Sequence, residues 1–137
     1  MQIEDVETHR GELEVLLTRH TAHAVRLSVV PDVEQWSRDH DLPGQGNPIA
    51  RALVHRASGD WVVLIRRSIG AEQITSVLDG LELFGGFPRI RQSLTTPTTF
   101  LNYLVLNELA HLANDWDQSC ERECDEWALE RVLQDER

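Results

Sequence analysis

A chain of 137 residues is the size of one domain, so the whole of residues 1–137 is read as a single unit with one core. Hydrophobic residues at 41% and charged residues at 26% sit near soluble globular averages and argue against disorder, collagen-like repeats and low complexity. Thirteen basic against twenty-three acidic side chains give a formal charge of −10. That charge repels phosphate backbones and anionic lipid, so neither nucleic acid nor a membrane surface is expected as partner, and an electrostatic partner should be basic or a cation.

All of the basic residues are arginine, and no function is read from the absence of lysine. The start, MQIEDVETHRGELEVLL, carries acids where a secretion signal needs a basic stretch and an apolar run, and no segment approaches a membrane-spanning length, so a cytoplasmic protein is expected. Cys120 and Cys124 lie four apart in one predicted helix, which with that compartment favours free thiols over a disulfide.

In chain order, residues 3–19 read as an amphipathic helix with an irregular apolar stripe from Val6, Leu13, Val15, Leu16 and Leu17. Residues 24–30 alternate as a strand (Val25, Leu27, Val29), and Pro31 stops it. A short helix over 33–38 precedes an irregular loop in which Gly44-Gln45-Gly46 is a flexible turn, because a phosphate cradle would need a preceding strand, a third glycine and a following helix. Residues 50–56 and 61–68 are β-rich runs joined by Ala57-Ser58-Gly59-Asp60, a connector suited to a hairpin. Residues 71–84 form the next predicted helix, closed by Gly85-Gly86, and 87–96 a connector. Pro97, Thr98 and Thr99 then announce a further helix, capped by a threonine oxygen.

That helix carries the chemistry. Its sequence over 100–114, FLNYLVLNELAHLAN, is apolar nearly all round yet holds Asn107, Glu108 and His111 in its middle, and polar groups in a buried helix need a reason. Residues i, i+1 and i+4 converge on one side of a helix. The pattern differs by one residue from H-E-x-x-H, in which two imidazoles one turn apart bind Zn²⁺ and the glutamate activates the metal's water. After an Asp115-Trp116-Asp117 turn, the closing helix over 119–133 carries Glu121, Cys124, Asp125, Ala128 and Val132 as one stripe. Facing the preceding helix, it would turn Glu121 toward His111 and let Asp125 orient a histidine by accepting its other ring N–H.

LVLNELAHL followed by ERECDEWALERV resembles the active-site helix and following helix of gluzincin metallopeptidases, and in size is most similar to the compact ImmA/IrrE-type domains. The resemblance covers residues 98–133, about a quarter of the chain. It implies an α+β, small zincin-like domain with a short antiparallel sheet and hairpin packed on the helix pair. By position it assigns Glu108 as general base, His111 and Glu121 as zinc ligands, Asp125 as the supporting acid, and Asn107 to the place of the first histidine ligand.

The departure at Asn107 governs the functional expectation. An amide oxygen is a poor Zn²⁺ ligand beside imidazole nitrogen, and losing even a supporting partner lowers affinity about 10 to 100-fold, so zinc binding should be weakened. The leading expectation is therefore a zincin-like protein with a degenerate zinc site, catalytically weak or inactive, that binds a protein or peptide partner. The alternative is an active zinc metallopeptidase using Glu108. A sulfur-rich zinc site from Cys120, Cys124 and His111, and a plain α+β accessory protein in which residues 107, 108, 111, 121 and 125 do not cluster, complete the set. His20, His23, His40 and His55 are read as surface histidines, Arg66-Arg67 as solvated, and Trp61, Trp116 and Trp127 as core.

Overall fold

The computed structural model describes residues 1–43 and 49–135, so the Gly44-Gln45-Gly46 turn lies outside the described residues. The elements are α1 (Arg10–His20), β1 (Val25–Val30), α2 (Val33–Asp39), β2 (Ala50–Val54), β3 (Trp61–Arg66), α3 (Ala71–Leu83), α4 (Pro97–Ala113) and α5 (Glu121–Asp135). Short 3₁₀ turns at Val6–His9, Ile90–Gln92 and Gln118–Cys120 link them. The chain is thus α+β, and no helix among the described residues is long and apolar enough to cross a membrane.

The three-stranded sheet has the order β1-β3-β2. β2 and β3 form the expected hairpin, with Ala50 opposite Ile65 and Val54 opposite Trp61. Its connector closes through Gly59, whose φ of +75° is open to glycine at little cost. β1, however, runs parallel to β3, Val25 opposite Trp61 and Val30 opposite Arg66, so the sheet is mixed rather than antiparallel. The physical reason is β3. Its run Val62-Val63-Leu64-Ile65 is buried throughout and needs cover on both faces and both edges. A parallel neighbour requires a long connection, and between β1 and β3 the chain passes through α2 and β2.

Val63 and Ile65 point into the main core with Leu13, Leu17, Leu101 and Val105 of α1 and α4. Val62 and Leu64 point the other way, into a smaller cluster with Val30 and Val33, against which Trp36 of α2 packs. Each such aliphatic side chain contributes about 1.5–3 kcal/mol on burial. α4 is therefore the central helix, enclosed by α1, α5 and the sheet, which is why its sequence is apolar nearly all round.

The amino terminus differs from the reading of one helix over 3–19. Ile3 instead forms an isolated two-way antiparallel bridge with Ile69 (2.9 and 2.8 Å), beyond the end of β3, while Asp5 caps the 3₁₀ turn that leads into α1. His20 is also no free surface histidine. Its Nε2 lies 2.8 Å from Asp135 Oδ2, tying the end of α1 to the end of α5. His23 and His40 are exposed but stacked on Trp61 and Trp36. Trp61 and Trp127 pack against the core, whereas Trp116 is half-buried outside it. Arg66 is half-buried with its Nε unpartnered, and Arg67 is exposed.

Candidate functional site

α4 is held at both ends by its own sequence. Thr96 Oγ1 accepts from the Thr99 amide at 3.1 Å, and Pro97 fills the first turn, where no amide partner is needed. At the far end Asp115 takes a left-handed conformation (φ 53°), so that the Trp116 amide returns to the His111 carbonyl at 3.1 Å. The same turn places the Trp116 carbonyl 2.8 Å from His111 Nδ1. The helix cap therefore orients the imidazole and leaves Nε2 directed at Glu121 Oε1, 3.3 Å away. Asp117 accepts from the Ser119 amide at 2.8 Å and starts the chain into α5.

The α5 stripe faces α4. Cys124, Ala128 and Val132 are buried, and Asp125 reaches across, its Oδ1 accepting from Tyr103 Oη at 2.7 Å and from Asn107 Nδ2 at 2.8 Å. Asp125 thus bonds Asn107 and Tyr103, while the orienting contact to His111, expected from a carboxylate, comes from the main chain of Trp116. A cleft of 220 Å³ opens over this junction. Asn107, Glu108, Glu121, Asp125 and Tyr103 line one side, with Ala50 of β2 and Val77, Gly80 and Leu81 of α3 opposite. All five residues singled out in the sequence are therefore brought to one place, His111 through its pair with Glu121.

The electrostatics follow from burial and proximity. Glu108 is 6% exposed, and burial pushes its carboxyl up to about 7, with His111 and Arg51 opposing and Glu121 and Asp125 adding to the shift. Burial likewise raises Asp125 to about 6, against the two hydrogen bonds it accepts. His111 goes up to about 9, chiefly through Glu121, so the imidazole is a cation at neutral pH. Both cysteines are free, and burial drives Cys124 up to about 12, which leaves it a protonated packing group in the helix interface.

The donor set fits tight catalytic zinc poorly. One imidazole and one half-exposed carboxylate are available, and the amide of Asn107 is committed to Asp125. Among the described residues, no group of three or more His, Cys, Asp or Glu side chains could hold a metal ion. Compared with family models, curated proteins and solved structures, the chain matches none of them. The functional reading accordingly rests on the geometry of this cleft.

Three participants were not singled out in the sequence. Tyr103 lies one turn before Asn107, and the 103-107-111 ladder was visible as a polar row in an apolar helix. Arg51, 7% exposed, bonds the Pro43 carbonyl at 2.6 Å and is the buried cation of β2 whose charge favours ionised Glu108. The Trp116 carbonyl carries no sequence signal, since any residue supplies one.

Proposed function

We propose that this chain is a zincin-type domain with a degenerate metal site, which works by holding an extended segment of a protein partner rather than by hydrolysis. The observation that carries this reading is the pairing in the cleft. The His111 imidazolium lies against Glu121, and Asn107 is bonded to Asp125, so the side chains aligned with metal ligands satisfy one another. Imidazolium and amide here do the charge and hydrogen-bond balancing that a divalent ion would otherwise do. Glu108 stands beside them, but with a single imidazole as strong donor no water-activating centre is assembled from this set. β2 lies at the edge of the sheet and Ala50, its first residue, lines the cleft, an arrangement suited to a segment laid alongside a strand.

Elemental analysis tests the reading. Protein purified without added metal should carry substoichiometric zinc, and Asn107→His, which sets a second imidazole one turn before His111, should raise zinc affinity at least about 10 to 100-fold. Stoichiometric zinc on the unsubstituted chain would instead favour the active metallopeptidase with Glu108 as its base. No gain in the variant would remove the zincin reading itself.

A further inference from the structure

We infer that the cleft takes the basic side chain, arginine or lysine, of an extended segment of another protein, with its charged head between Glu108, Asp125 and Glu121. This rests on the reading of the cleft as a segment-binding site and adds the chemistry of its occupant.

Glu108 is the decisive residue. It is almost completely buried, it faces the cleft, and it accepts no hydrogen bond from any described residue. Its oxygens are not among the fully enclosed unpartnered atoms, so the cleft is where they meet solvent, and no described donor offsets the hydration lost elsewhere. Asp125 takes both of its bonds on Oδ1, which leaves Oδ2 without a described donor. Glu121 stands at the mouth with its side chain 53% exposed. Three carboxylates therefore line the space against two nearby cations, His111, already engaged by Glu121, and Arg51 of β2, so one negative charge is left over.

The walls suit a long basic side chain. Val77, Leu81 and Leu104 present apolar surface along which methylenes can lie, and the polar groups gather on the α4–α5 side, where the head would arrive. A guanidinium or ammonium brings donors and charge together, supplying the hydrogen bonds that Glu108 lacks and a third positive charge against the three carboxylates. The formal charge of −10 adds long-range attraction for a basic partner and disfavours an acidic one.

The test uses the full chain in chelator-treated buffer, followed by NMR titration with Nα-acetylarginine methylamide, its lysine counterpart, and the uncharged isostere Nα-acetylcitrulline methylamide. Both cationic probes should shift resonances of Tyr103, Leu104 and Glu121 saturably, with a Kd at least about tenfold below that of the citrulline compound, and the binding should weaken with salt. Glu108→Gln should weaken the cationic probes about tenfold. Glu121→Gln, at a half-exposed position that keeps a hydrogen-bonding oxygen toward His111, should weaken them severalfold. Equal binding of the citrulline and arginine compounds, or no cleft shifts with any of the three, overturns the inference. Neither outcome bears on zinc uptake by Asn107→His, so failure here and failure of the degenerate-site reading are separable.

Discussion

At the residue scale, Glu108 and Asp125 line one cleft, yet replacing their carboxyl groups should change stability in opposite directions. Glu108 is buried without a described donor, so its ionised form is destabilising. Glu108→Gln should therefore stabilise the protein by about 1–2 kcal/mol at pH 8 and leave it nearly unchanged at about pH 3, below both the unfolded value of 4.5 and the folded value of about 7, where the acid is protonated folded or unfolded. Urea denaturation at the two pH values measures this, and a loss of stability at pH 8 would contradict it. Asp125→Ala should do the reverse. It strips Tyr103 Oη and Asn107 Nδ2 of their shared acceptor and should lower stability by about 1–3 kcal/mol, with Tyr103→Phe recovering part of that in the double variant. Asn107, Glu108 and His111 were legible in the sequence because polar groups inside an apolar helix announce themselves, and Glu121 and Asp125 because they share a helical stripe with Cys124, Ala128 and Val132. The partners were not, since hydrogen bonds from a turn carbonyl or across two helices depend on positions that no spacing encodes.

At the scale of elements, β3 and the end of α3 mark the two extremes of constraint. Leu64 is fully buried on the α2 face of the central strand, and Leu64→Ala should lower stability by about 2–5 kcal/mol through lost transfer energy and the cavity left behind. Phe84, 88% exposed just beyond α3, should tolerate Phe84→Ser within about 0.5 kcal/mol in the same denaturation assay. The hairpin, α3 and the α4–α5 pair were readable from periodicity, glycine connectors and a threonine cap, all of which act within a few residues. The parallel placement of β1 was not. Alternation in residues 25–30 tells which side chains turn inward, but it is indifferent to the direction of the neighbouring strand. The first turn of the amino-terminal helix failed for a similar reason, because Ile3 gains a long-range pair with Ile69 that outweighs local helix preference.

At the scale of the whole molecule, the site sets the pH dependence of folding. Asp125 is raised from 3.8 to about 6, Glu108 from 4.5 to about 7, and His111 from 6.5 to about 9. Each group holds its proton more tightly when folded. Its contribution is complete below the unfolded value and is lost as pH rises through the folded one, giving overlapping windows from about pH 4 to 9. Glu7 and Asp117, held low by Arg10 and Ser119, work in the opposite sense and lose their contribution only in stronger acid. Stability should accordingly peak near pH 5 and fall by on the order of 3 kcal/mol by pH 9, after allowance for screening and coupling. Urea midpoints at pH 5, 7 and 9 with a constant slope would register the decline, and a maximum above pH 7 would contradict it. Periodicity, capping and composition determined the helices, the hairpin, the acidic character and the row of polar residues on α4, because each is written in near neighbours along the chain. Tertiary structure alone decided that the sheet is mixed, that Glu121 meets His111 while Asp125 meets Asn107, and that Glu108 is left facing a cleft. Those outcomes depend on how α5, α3 and β2 pack around one buried helix, and burial and charge proximity exist only once they have done so.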